Sequence, residues 1–142
     1  MANLCFRTIR EGSETLNDAA PNFYSSAFNL TGFVDRTALL LMEISGVEFT
    51  NNFVTINAPD HAALNGLTTD NAAAVLDDKF VGRILPSGDN ANWAMTIFRV
   101  KPELLAAGNV LGVHARNSGG GTSGNRDDFK IARAFLIYTG SD

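Results

Sequence analysis

The chain has 142 residues, 45% of them hydrophobic and 18% charged, and a formal net charge of -4. That length supports one domain, residues 1–142, with a core that needs no staples, and the composition excludes wholesale disorder. One cysteine, Cys5, precludes an internal disulfide, and two histidines, His61 and His114, exclude most histidine-based metal and triad chemistry.

From the N-terminus, Cys5 to Arg10 alternates weakly and reads as a short strand, followed by turn chemistry from Glu11 to Pro21. Asn22 to Leu30 alternates around Phe28 as a second strand. Thr37 to Ile44 is a continuous apolar run, which periodicity alone leaves between strand and helix; its shortness and Gly46 favour a central strand. Phe49 to Ala58 is clearer, because Phe53, Thr55 and Asn57 oppose Val54, Ile56 and Ala58 at period two.

Pro59 to Thr69 reads as loop, and Asp70 to Phe80 is the best helix candidate, with a capping residue and three alanines. Val81 to Leu85 and Trp93 to Val100 are predicted strands. Pro102 to Gly108 is a single helical turn, with proline at its start and glycine at its end. Asn109 to Asn117 returns as a strand with Leu111, Val113 and Ala115 on one face and His114 and Arg116 on the other. Ser118 to Asn125 is a glycine-rich loop before the last strand, Asp128 to Tyr138. Seven or eight short strands with one or two short helical segments predict an all-β antiparallel sandwich or jelly roll.

The acidic balance and scattered basic residues disfavour nucleic-acid binding. No apolar run is long enough to span a bilayer, and the N-terminus lacks a signal-peptide pattern. The expectation is a soluble protein, cytoplasmic as synthesised, with release or incorporation into an extracellular assembly still open.

The order Val54-Thr55-Ile56-Asn57, then Trp93 to Val100, then Pro102-Glu103-Leu104-Leu105-Ala106-Ala107-Gly108-Asn109, then Asp128-Phe129 opening the last strand, carries a resemblance. It resembles the galactose-binding-domain-like jelly roll of glycosidase accessory modules and small bacterial lectins, over roughly residues 37 to 138. One departure is that Asn57 is followed by Ala58-Pro59 rather than by glycine. The resemblance implies a carbohydrate ligand and, by likeness to calcium-dependent lectins of that fold, a calcium site in the loop before the last strand.

Candidate residues follow. Trp93, the sole tryptophan, stands beside Asn90 and Asn92, where an indole face could stack on a sugar ring; the alternative is filler at a sheet edge. Arg116, Asn117, Asn125 and Asp127 complete the expected ligand-binding set. Asn117, Thr122, Asn125, Asp127 and Asp128 supply oxygens suited to Ca2+, unless the loop is a solvated hairpin. His114 and Arg116 together could bind a carboxylate or sugar hydroxyls, with an exposed sheet face or subunit contact as the preferred alternative. His61 beside Asp60 lacks a nucleophile motif, and Asp77-Asp78 reads better as a solvated face than as an acid pair. The expected function is thus a non-catalytic, lectin-like carbohydrate-binding module acting as a homo-oligomer, since multivalency raises avidity. The competing expectation is a structural or assembly subunit of a larger particle or filament.

Overall fold

The computed structural model describes residues 2–16, 23–58, 64, 67–87, 93–122 and 124–141. Within them lie eight strands: β1 (Ala2–Leu16), β2 (Phe23–Asn29), β3 (Ala38–Ser45), β4 (Phe53–Ile56), β5 (Phe80–Arg83), β6 (Trp93–Val100), β7 (Gly108–His114) and β8 (Phe129–Ser141). One helix, α1 (Thr69–Leu76), and 3-10 turns at Asp77–Lys79 and Pro102–Leu104 complete the described elements.

The strands form two antiparallel sheets, ordered β1-β8-β3-β6 and β2-β7-β4-β5. The pairs β1·β8, β2·β7, β3·β6 and β4·β5 are those of one long hairpin whose two arms roll up together. That is the jelly-roll arrangement, so the expected all-β sandwich is observed.

Alternation explains which side chains meet. From β3, Ala38, Leu40, Met42 and Ile44 face inward, and from β8 so do Ile131, Ala134, Leu136 and Tyr138. They pack against Val54, Ile56, Leu111, Val113 and Phe28 of the second sheet. Each large apolar side chain removed from water there stabilises by about 1.5–3 kcal/mol.

Several expected boundaries move for local reasons. β1 runs well beyond Cys5–Arg10, with register shifts at Thr8/Arg10 and Glu11/Glu14, and Gly12 takes a φ of 98°. Such bulges let a strand continue past turn-like residues. β4 starts at Phe53 rather than Phe49, because the Glu48 and Phe49 amides donate to the Asp127 carboxylate instead of a ladder. The helix stops at Leu76, where Asp77 takes a φ of 44°. Its start is capped by Thr68, whose hydroxyl accepts from the Asn71 amide.

The turn between β6 and β7 is held by two asparagines. Asn57, at φ 57°, donates to the Leu104 carbonyl at 2.7 Å and to Asn109 Oδ1 at 3.0 Å, and its Oδ1 accepts from the Val110 amide at 2.7 Å. Asn109 in turn accepts from the Ala106 amide and donates to the Ala106 carbonyl, both at 2.8 Å. Leu104 and Leu105 sink into the core beneath this network.

Candidate functional site

The two sheets treat their outer faces differently. On the second sheet, Phe53 and Thr55 of β4, His114 of β7 and the neighbouring Arg116 would all face solvent in a bare sandwich. Instead the excursion between β4 and β5 lies over them, with Leu64, Ala72 and Leu76 packed on Phe53.

His114 and Arg116 are therefore not on an exposed face, contrary to expectation: both have 0% exposure. The His114 ring stacks on Phe53 at 4.6 Å, and its Nε2 is 3.1 Å from Thr55 Oγ1. The Arg116 guanidinium also lies against the Phe53 ring, 4.8 Å from its centre. It donates to the carbonyls of Leu64 (2.7 Å), Leu67 (3.1 Å) and Ala115 (2.9 Å). Burial, together with repulsion from Arg126, lowers its pKa to about 10. Arg116 is thus a strut that ties the excursion to the sheet.

Asp127 is the second buried charge. Its carboxylate accepts from the amides of Glu48 (3.0 Å) and Phe49 (2.9 Å) and from Asn52 Nδ2 (2.6 Å). Asn52 Oδ1 accepts from the Arg116 amide, so the two buried charges share one polar network. Desolvation raises the Asp127 pKa, while these hydrogen bonds pull the other way.

The loop before β8 closes on itself. Asn117 Oδ1 accepts from the Gly119 and Gly121 amides, and the Thr122 carbonyl accepts from Arg126. Asn51 donates to the Ser118 carbonyl, and Arg83 joins Asn51 to Asp70. Asn125 and Asp128 are exposed. Of the five residues expected to ligate calcium, Asn117 and Asp127 thus have side-chain oxygens engaged by N–H groups of the chain. Among the described residues, no group of three or more His, Cys, Asp or Glu could hold a metal.

Asn90, Asn92 and His61 lie outside the described residues. Asp77 and Asp78 sit on a 3-10 turn without a buried residue, beside a groove of about 60 Å3 shared with Arg99 and Lys101. No helix among the described residues is long and apolar enough to cross a membrane.

Among the described residues, no layer packs over the outer face of the first sheet, and two of its rows are mostly apolar. Its cross-strand rows follow from the register, in the order β1-β8-β3-β6. One row is Phe6, Ile137, Leu39 and Arg99; the next is Thr8, Phe135, Leu41 and Ile97; the third is Glu11, Arg133, Glu43 and Met95. Lys130, Ser45 and Trp93 follow. Leu4, Phe6, Leu39, Trp93, Met95 and Ile97 are all exposed, Ile97 by 59% and Trp93 by 46%. Phe6 and Phe135 are in ring contact at 5.1 Å, and Arg133 pairs with Glu43 at 3.5 Å.

Sequence reading singled out Trp93 but missed the face around it. The available signal was the unbroken run at Thr37–Ile44: a strand apolar on both faces belongs between two layers. Only one of those layers is supplied by the described residues of this chain.

No family model matches the chain, and no curated protein matches it in sequence. Similarity to solved structures is distant. A point variant of BuGH86 in complex with neoagarooctaose matches with a TM-score of 0.52 at 10% identity, over 99% of this chain and 20% of that one. Wild-type BuGH86 in the same complex gives 0.47 at 10% identity, over 99% and 19%. The K1 cleaved adhesin domain of Lys-gingipain from Porphyromonas gingivalis W83 gives 0.39 at 6% identity, over 94% and 97%. The chain spans about a fifth of the BuGH86 structures, and the likeness to the variant is one of fold.

Proposed function

We propose that this chain is a non-catalytic binding module that works as an assembled unit, using the outer face of its first sheet as the contact surface. One observation carries the reading: the chain buries Phe53, Thr55 and His114 on the outer face of one sheet beneath its own excursion, while Leu39, Met95, Ile97 and Phe6 on the outer face of the other are exposed. Contiguous exposed apolar surface of this kind marks interaction sites. Phe, Met, Trp and Arg are also the residue types enriched in protein interfaces. Leucine, isoleucine and methionine offer sugar hydroxyls no partners, which favours a protein surface over a glycan for the middle of the face. His114, the described histidine, is sealed beneath the excursion, out of reach of a substrate.

Sedimentation velocity on the wild type and Ile97→Lys tests this reading. Association of the wild type that Ile97→Lys abolishes supports it. A wild type that stays monomeric, or association that Ile97→Lys leaves intact, overturns it.

A carbohydrate ligand is the second reading, favoured by Trp93. Its half-exposed ring stands at the end of the apolar face rather than in the middle, so it remains free for stacking. The BuGH86 chain that shares the fold was solved with an agaro-oligosaccharide, which makes neoagarooctaose a reasonable first probe. Saturable change in Trp93 emission, with and without a chelator, and no cleavage of the sugar would support it. Unchanged emission across neutral oligosaccharides, or cleavage products, would remove it.

A further inference from the structure

The occupant of the bare face can be named, on the premise that this face is the contact surface. We propose that it is the same face of a second copy of this chain, related by a twofold axis that runs along the strands between β8 and β3.

Register is the reason. An axis along the strands keeps each cross-strand row opposite the same row of the second copy and reverses the order within it. Arg133 then stands opposite Glu43 of the second copy, and Glu43 opposite Arg133 of the second copy, because β8 and β3 are the two central strands. The ion pair within each copy, 3.5 Å long, becomes half of a four-charge square of alternating sign. In the apolar row, Phe135 meets Leu41 of the second copy and the reverse. At the margins Arg99 comes over Phe6 of the second copy, a cation–π arrangement.

The other in-plane axis, across the strands through the middle of the apolar rows, fails this test. It would set the Arg133–Glu43 row against the Leu4–Thr139 end of the second copy, so this ion pair would be desolvated with no opposite charge across the interface, at a high cost. Aligned sheet packings cross at about 30°, which keeps the central rows matched. Four strands about 4.8 Å apart and four outward positions about 6.7 Å apart give a footprint of roughly 500 Å2 before side-chain relief. A standard interface takes about 800 Å2 from each partner, so the face is of the right order for a dimer.

The test uses two single charge reversals, Glu43→Arg and Arg133→Glu, measured alone and mixed. Each alone places like charges opposite like charges and should weaken self-association at least about tenfold. Mixed in equal amounts they should form a heterodimer, because on the two central strands the Glu43→Arg chain presents two cations on this row and the Arg133→Glu chain two carboxylates. Only contacts between chains can be rescued by mixing; the ion pair within a chain stays broken in both variants. Native mass spectrometry and sedimentation read the result. Singles that associate like the wild type, or a mixture as monomeric as its components, overturn the twofold arrangement. If Ile97→Lys still abolishes wild-type association in that case, the contact surface stands and only its geometry is wrong. If Ile97→Lys has no effect, the reading of the surface itself fails.

Discussion

The guanidinium of Arg116 lies 4.8 Å from the centre of the Phe53 ring and donates to the carbonyls of Leu64, Leu67 and Ala115. Phe53 thereby packs against both this cation and the His114 ring, and the excursion that carries α1 is fixed to the sheet. Arg116→Met should leave buried carbonyls unpaired and cost about 3 kcal/mol. Arg116→Lys should cost less, since an ammonium can still reach one carbonyl but lacks the planar fork. Denaturant unfolding measures both; a loss under about 1 kcal/mol for Met would refute the strut.

Asn57 holds the β6–β7 turn by side-chain bonds and by a left-handed backbone. Asn57→Gly keeps the backbone freedom but loses the bonds to Leu104, Asn109 and Val110, and should cost about 2 kcal/mol. Asn57→Ala loses the same bonds and adds strain at φ 57°, so it should cost about 1 kcal/mol more. Equal stabilities for the two variants would show that the backbone conformation contributes nothing.

Asp127 carries a pH signature. Its folded-state pKa is raised, chiefly by burial, so between the unfolded value near 4 and the folded value the native state holds more protons than the unfolded one. The contribution of this group is therefore full at acid pH and lost as pH rises through the folded pKa. The stability advantage of wild type over Asp127→Asn should shrink as pH rises from below the unfolded value near 4 through the raised folded-state pKa. An advantage that grows over that range would mean the hydrogen bonds from Glu48, Phe49 and Asn52 outweigh desolvation.

Association through the first sheet should also appear in thermal melts. A partner that binds only the native state raises Tm with protein concentration. The wild-type Tm should rise with concentration and that of Ile97→Lys should not, while the two coincide at high dilution because Ile97 is exposed. A lower Ile97→Lys Tm at every concentration would instead assign Ile97 a role within the fold.

The sandwich was legible because its strands obey period two and its turns carry glycine, proline and asparagine, as at Pro102–Gly108. The site was less so. His114 and Arg116 sit at polar-face positions, and nothing local in sequence reveals that a segment some 50 residues earlier folds back over them. Asp127 looked like a loop ligand, because the amides it serves at Glu48 and Phe49 are remote in sequence. Conversely, Leu39 and Leu41 read as core by composition, and only pairing and burial together put them on the outside of the molecule.

The claim that the outer face of the first sheet is the contact surface is tested most directly by carbene footprinting of the pure protein at low and high concentration. Leu39, Met95 and Ile97 should lose labelling as concentration rises, while Val75 and Leu85, each 71% exposed outside that sheet, should label equally throughout. Unchanged labelling at Met95 and Ile97 in the associated protein, or protection at Val75 instead, would contradict the account.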